Sequence, residues 1–594
     1  MTKGIGRAAA AACVAAIGLA ASNAVAAPPQ SYEQDAVDKL DATNSVETVR
    51  QLAVDIGPRR SATPEERKAA EHLAGILESY GFTTSLQSVA FTGTRNTAKV
   101  TSPDATLPNG PNWQMSSSLS GKLTGDAAPV EAPVVYAGTG ATAADFPADT
   151  AGKIVLMDQG ANTAARTAQV ANAVAAGAVG VILGNTGNNA APTTTITLTT
   201  PQPTIPVLGG GRAHLDWIKG LLAAGPLTLK LATNSYVNHP RTNVIAIRHA
   251  VGDPTGVSAP IVSIGAHIDS VLGAPGAHDD ATGNGATIEI ARVLSQLPLD
   301  KEIRVGGFGG EEDGLVGARA YVQTLTAAER SRYVGHWQMD MVGTPYGPAE
   351  FWGLVPNGER NFVVEQGYQA AARAGFTGMQ NCFLGQSDHQ AFFDVGISSA
   401  LFIWLNYRKP ALPRTCTSGP FTADYTTEPE YHRPTDGMNN VSQERLQTTL
   451  DVVGGAVLRN ALNQVTFTIT DGSGQPVAAA AVRGDCGDGT RNLGQSGTDG
   501  VALVVVPHAT CDFTITAGGA AAPVDDVAVA GDQAIPVSLT SGDTTVGGSV
   551  PPTLSLSLGA PASFGAFTPG VARTYFASTT ANVITTGGDA LVIV

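Results

Sequence analysis

Short apolar runs rich in β-branched residues recur through the middle of the chain, each closing on a polar residue. Pro260-Ile261-Val262-Ser263-Ile264-Gly265-Ala266 ends at His267, Lys301 to Phe308 leads into Gly309-Gly310-Glu311-Glu312, and Val334 to Val342 carries Asp340. Runs of this length and composition predict buried strands. Between them Ile290, Ala291, Leu294 and Leu297 share one helical face, and Leu315 to Leu325 is long enough for another helix. Strand alternating with helix predicts an α/β fold: a mostly parallel mixed sheet flanked by helices. The carboxyl ends of its strands then gather residues distant in sequence.

The polar residues at those ends form a recognisable donor set. His267, Asp279, Glu312, Asp340 and His432 stand in chain order, with Glu311 directly before the third. Imidazole nitrogen and carboxylate oxygen both ligate Zn²⁺, and one aspartate can bridge a pair of ions. Taken singly each residue has a duller use, as a packed histidine, a helix start or a turn cap. It is the ensemble that points to metal-assisted hydrolysis.

Gly265-Ala266-His267-Ile268-Asp269-Ser270, Asp279-Asp280-Ala281-Thr282-Gly283, Glu311-Glu312-Asp313-Gly314-Leu315-Val316-Gly317, Asp340-Met341-Val342-Gly343, Ser387-Asp388-His389 and Tyr431-His432 follow one another in that order. In sequence and order these blocks resemble those of the co-catalytic zinc aminopeptidases. That family includes secreted bacterial leucine aminopeptidases, aminopeptidase Y and, more distantly, glutamate carboxypeptidase. The resemblance implies two Zn²⁺ ions per chain, bridged by Asp279, with His267 and Asp340 completing one site and Glu312 and His432 the other. It implies that Asp269 orients the imidazole of His267, and that the Asp279–Asp280 peptide is cis. A hydroxide shared by the ions would attack the peptide carbonyl. Glu311 would be the general base and Tyr431 the donor to the tetrahedral oxyanion. His278 precedes Asp279 but is not at a ligand position of the family. Asp436, four residues after His432, is a candidate to orient that ring. Gln386 stands where several relatives carry arginine, and Ser387-Asp388-His389 lacks a nucleophile elbow and is expected to shape the cleft.

The expected reaction is removal of N-terminal residues from peptides, with leucine and similar residues as the default preference. The same constellation also serves carboxypeptidases, which need a basic pocket for the terminal carboxylate, and part of it serves single-zinc glutaminyl cyclases. Receptor-like relatives bind without chemistry, but they have lost ligands that all stand here.

Composition divides the chain. Residues 1–26 read as a secretory signal peptide: Lys3 and Arg7, an apolar stretch from Ala8 to Ala21, and Ala24-Val25-Ala26 as the small-x-small cleavage pattern. A discontinuous peptidase domain is expected at 27–110 and 236–462. The Ala-, Gly- and Thr-rich segment 111–235 between them resembles an inserted α/β protease-associated domain. Alternating segments at 463–540 suggest a β-sandwich similar to carboxypeptidase regulatory-like modules, and 541–594 a linker and partial β module. These C-terminal β modules offer a possible contact with cell surfaces or polymers.

The formal charge of −15 becomes two units more acidic once the leader is removed. Such a chain repels nucleic acid and draws in cationic peptide N-termini. No later segment is continuous enough to span a membrane, so an extracellular or periplasmic protein is expected. Of five cysteines, Cys13 lies in the leader, and the expected pairs are Cys486 with Cys511 and Cys382 with Cys416.

Overall fold

The computed structural model describes residues 31–118, 121–187, 196–199, 203–347, 349–406, 428–540, 555–558 and 581–584. An eight-stranded mixed sheet forms the centre. Its order is Thr83–Val89, Arg241–Arg248, Glu302–Phe308, Ile261–His267, Tyr333–Met339, Ser399–Asn406, Ala349–Val355 and Met379–Phe383. The four strands from Glu302–Phe308 to Ser399–Asn406 run parallel, and antiparallel pairs flank them. The apolar runs ending at His267 and Phe308 are buried along their whole length. Burial on both faces accounts for the continuous apolar character of the first, broken only by Ser263; in the second, Glu302 and Arg304 are buried as an ion pair at 2.6 Å.

Helices cover both faces. Val244 and Ala246 join a large core with Leu73, Ile264, Ile290 and Val457, while Ile245 and Ile247 point the other way, toward Ala318, Tyr321 and Phe392. The period of two within one strand places those residues on opposite faces. The helix Thr282–Leu294 fills the connection after His267, and Val316–Thr324 the one after Phe308.

Between the antiparallel strands Thr83–Val89, at the sheet edge, and Arg241–Arg248, beside it, the chain leaves to form a closed seven-stranded barrel. Its strands are Thr94–Thr101, Asn112–Ser117, Val207–Gly210, Gly180–Gly184, Ile154–Asp158, Val130–Tyr136 and Thr228–Val237 in spatial order. The barrel thus begins at Thr94, ahead of the compositional shift near residue 111. The reason is that Thr94–Thr101 pairs along its whole length with Thr228–Val237, a long-range partner that local composition does not reveal. The helices Thr163–Ala175 and Arg212–Ala224 complete the barrel.

From Asn463 onward the chain forms two sheets, Val501–Val506 with Asn463–Asp471 and Gln533–Leu539, and Arg491–Gln495 with Ala481–Asp485, Ala509–Ala517 and Ala520–Val529. Phe467 and Phe513 meet between them, with ring centroids 5.1 Å apart. A disulfide joins Cys486 to Cys511; the proposed partner of Cys382, Cys416, lies outside the described residues, as does the segment 1–26. Lys301 Nζ donates to Leu462 O at 2.8 Å and to Asp532 at 2.9 Å, and Asp300 accepts from Asn463 Nδ2 at 2.5 Å, so these sheets are tied to the base of the central sheet. The antiparallel pair Ser555–Leu558 and Ala581–Ile584 belongs to a second compact unit. Among the described residues no helix is long and apolar enough to cross a membrane.

In the barrel, His214 closes the first turn of its helix: the Gly211 N–H donates to His214 Nδ1 at 3.2 Å. The ring packs against the stacked pair Trp113 and Trp217, with centroids at 5.2 and 5.7 Å. Burial pushes its pKa down to about 3, and Nδ1 accepts a hydrogen bond only while unprotonated. The unfolded chain takes up this proton near pH 6.5 and the folded one does not. The stability contributed by neutral His214 is therefore fully present above pH 6.5 and lost as pH falls toward 3, a loss on the order of a few kcal/mol. A His214→Gln variant is expected to show a smaller drop in barrel unfolding temperature between pH 7 and pH 4.5 than the wild type. Identical pH dependence in thermal unfolding would count against this role.

Candidate active site

Connections at the carboxyl ends of three of the parallel strands, the turn after Met379–Phe383 and a late loop build one pocket. His267 ends its strand with its ring 1% exposed. Its backbone is fixed on both sides: the N–H donates to Asp280 Oδ2 at 3.2 Å, and the carbonyl accepts from Asn284 Nδ2 at 2.5 Å. His267 Nε2 stands 3.0 Å from Asp279 Oδ1 and 3.7 Å from Asp340 Oδ1. On the other side of Asp279, His432 Nε2 lies 3.1 Å from Asp279 Oδ2 and 3.1 Å from Glu312 Oε2. The five residues fall into two groups, His267, Asp279 and Asp340, and Asp279, Glu312 and His432, whose donor atoms lie within 4.8 Å of one another. Asp279 is common to both.

Around this pair the backbone is held by carboxylates. Asp269 accepts from the N–H groups of Glu311 at 3.0 Å and Glu312 at 3.3 Å. For His267 Nδ1 the nearer acceptor is the Asp269 carbonyl, at 3.0 Å, with the carboxylate at 3.7 Å. Asp269 thus faces the imidazole, while its carboxylate is spent on the turn that carries the two glutamates. Asp280 accepts from His267 N, Gly283 N and Met341 N, which ties the His267 strand and the helix after it to the segment after Asp340. The peptide between Asp279 and Asp280 is cis. Asp436 accepts from the N–H groups of His278 at 3.0 Å and Asp279 at 3.2 Å, not from the ring of His432. His278 turns away from the donor set and pairs with Glu428 at 2.7 Å. Ser387 Oγ donates to Asp340 Oδ2 at 2.9 Å, and His389 Nε2 contacts the Leu384 carbonyl at 2.7 Å. The serine of that block therefore orients a carboxylate.

Electrostatics follow from this crowding. Burial pushes the Glu311 carboxyl well above the usual range, and nearby Asp388, Asp340 and Glu312 add to the effect. Glu312 is pushed up to about 7 by burial and the Asp279 charge. Burial alone would keep His267 neutral, but Asp340 and Glu311 outweigh it and hold its pKa well above the histidine range. Like charges confined this closely need cations. Asp340 Oδ1 and Glu312 Oε1 are buried yet have no hydrogen-bond donor, and the imidazole–carboxylate set suits zinc. The residues fit a pair of such ions.

A cavity of about 650 Å³ opens over the group. Glu311 and Tyr431 border it, and Met341, Leu384, Leu401 and Ile403 form an apolar wall. Tyr431 stacks on His432 with ring centroids 3.7 Å apart, and burial raises its phenol pKa.

A family model described as "Peptidase family M28" matches residues 243–457, and one described as "PA domain" matches 130–218. Aminopeptidase YwaD of Bacillus subtilis is 34% identical over 421 residues, covering 70% of this chain and 84% of that protein. The chain belongs to peptidase family M28. A second relative, an aminopeptidase of Pseudomonas aeruginosa, is 28% identical over 449 residues, covering 70% of this chain and 80% of that protein. The solved structure of BSAP, a zinc aminopeptidase from Bacillus subtilis, is 32% identical, covers 70% of this chain and 94% of that one, and superposes with a TM-score of 0.45.

One contributor to this M28 site was not legible as such. Arg59 is wholly buried below it, where Nε donates to Ile268 O at 2.9 Å, Nη1 to Pro275 O at 2.5 Å and Nη2 to Gly276 O at 2.9 Å. It gathers both ends of the loop between His267 and Asp279, and brings a positive charge near Asp436, Asp269, Asp280 and Asp279. Only the Gly57-Pro58-Arg59 triplet before an amphipathic helix hinted at it. An Arg59→Met substitution strands three carbonyls and an uncompensated acidic cluster. It is expected to lower unfolding stability by about 3 to 5 kcal/mol, read by urea denaturation.

Proposed function

We propose that the chain is a secreted zinc aminopeptidase, carrying two ions between His267, Asp340, Asp279, Glu312 and His432. The observation that carries the reading is the sharing of Asp279 by two donor groups, each with one histidine, while the Glu311 carboxylate beside them is left out of both. Zinc bound there supplies Lewis acidity that polarises the scissile carbonyl and makes water a better nucleophile. The protein's own groups do the rest. Glu311, held by its backbone N–H on Asp269, takes the proton of the attacking water and returns it to the departing amine as the C–N bond breaks. Tyr431, its phenol kept protonated by burial, donates to the oxyanion.

Direction and preference follow from the lining. Glu311, Glu312 and Glu428 make the cavity acidic, which suits a cationic N-terminus, and Met341, Leu384, Leu401 and Ile403 suit an apolar first side chain. The names of the relatives agree with removal of N-terminal residues. Export is supported by the leader-like residues 1–26 and by the Cys486–Cys511 disulfide.

Aminoacyl nitroanilides should be hydrolysed and their N-acetyl counterparts should not, with leucine ahead of aspartate; cleavage restricted to blocked substrates would reject the reading. Dialysis against a chelator should abolish turnover and zinc should restore it, at close to two ions per chain by elemental analysis. Glu311→Gln is expected to lower kcat by about 10²- to 10⁴-fold while keeping wild-type zinc content. Full activity in that variant would remove Glu311 as the base.

A further inference from the structure

We propose that the barrel positions the catalytic turn through Arg95, which makes the inserted module part of the active-site scaffold. The inference rests on the reading of Glu311 and Glu312 as base and ligand. Both lie in the turn between Phe308 and Val316, which is gripped from two sides. On the inner side the Asp269 carboxylate holds the N–H groups of Glu311 and Glu312. On the outer side Asp313 Oδ2 accepts from Ser61 Oγ at 2.8 Å, from Arg241 Nη2 at 2.8 Å and from Arg95 Nη2. Ser61 and Arg241 belong to the central domain. Arg95 comes from Thr94–Thr101, the first barrel strand.

The geometry is tight. Gly310 has φ 72°, and a Cβ there would run into the Arg241 side chain; one at Gly309 would meet a Glu66 carboxylate oxygen at 2.5 Å. The turn therefore sits directly on Arg241 and Glu66 with no side chain between. The Phe91 ring is in reach of both guanidinium groups, 4.4 Å from that of Arg95 and 4.8 Å from that of Arg241, and so supports the pair as they converge on Asp313. Arg241 alone balances the charge of Asp313. The second guanidinium is a tether: it connects the barrel wall to the residue that directly follows Glu312. A general base must lie within hydrogen-bond reach of its proton, and small misplacements are costly in rate. Arg95 is on this account a positioning residue.

Hydrogen–deuterium exchange on the full chain tests this directly, because it reads the turn without substrate or metal. In Arg95→Ala, amides 309–316 should exchange about tenfold faster, while the strand Glu302–Phe308 and the barrel strands keep their protection. In parallel, kcat for leucine nitroanilide should fall about tenfold with KM within about twofold, and Arg95→Lys should recover part of both changes. Unchanged exchange in the turn would overturn the proposal, whatever happens to kcat, and so would a uniform loss of protection across barrel and sheet. If the turn loosens in Arg95→Ala but the wild type releases no N-terminal residue, the tether stands and the aminopeptidase reading falls.

Discussion

The structure is organised around the burial of many carboxylates in one place. Asp269, Asp279, Asp280, Glu311, Glu312, Asp340 and Asp388 crowd the ends of the parallel strands, where water is largely excluded. Isolated, such a group would cost far more than a domain's net stability. The fold offsets that cost in three ways. Backbone N–H groups are aimed at Asp269, Asp280 and Asp436; two imidazoles face Asp279; and the guanidinium of Arg59 lies beneath, satisfied by carbonyls and so free to act as a nearby positive charge. The lone pairs left over converge on a common space.

The same carboxylates tie the site together mechanically. Asp280 links the His267 strand, the helix after it and the segment after Asp340. Asp436 and Glu428 dock the segment that bears Tyr431 and His432 onto residues 278 and 279, so that a loop from late in the sequence reaches the far side of Asp279. No single connection carries the geometry. Each is braced by residues from another.

The strand ending at His267 could be read from the chain because it is buried on both faces and so appears as an apolar run interrupted only by Ser263, and those ending at Phe308 and Met339 because β-branched and aromatic residues recur between their buried polar ones. The meeting of His267, Glu312 and Asp340 was legible for a related reason, since parallel strands put their carboxyl ends on one edge; Asp279 and His432 were expected there from the family resemblance. What could not be read was the use of individual polar groups. Asp269 stands at the His267 ring as expected, its carboxylate 3.7 Å from Nδ1, but the same carboxylate also holds two amides 42 and 43 residues away. Asp436 was expected at His432 and is found on the backbone before Asp280. Such contacts depend on chain segments that meet only after folding, and periodicity does not encode them. The early start of the barrel, at a strand of mixed small and polar residues, escaped for the same reason.

The barrel leaves the sheet after Val89 and returns at Arg241, and these two residues are direct partners across adjacent strands, as are Thr94 and Val237 just inside the excursion. Entry and exit are neighbours at both levels, so topologically the whole module is a hairpin turn grown to domain size. With its own apolar centre around Trp113, Ile182 and Leu229, it can be complete during synthesis before the returning strand emerges, since domains generally fold as units from the amino-terminal side. Its closed ends then deliver that strand to its partner almost in register. The entropy of closing an excursion grows only with the logarithm of its length, and here the prefolded insert removes most of even that term.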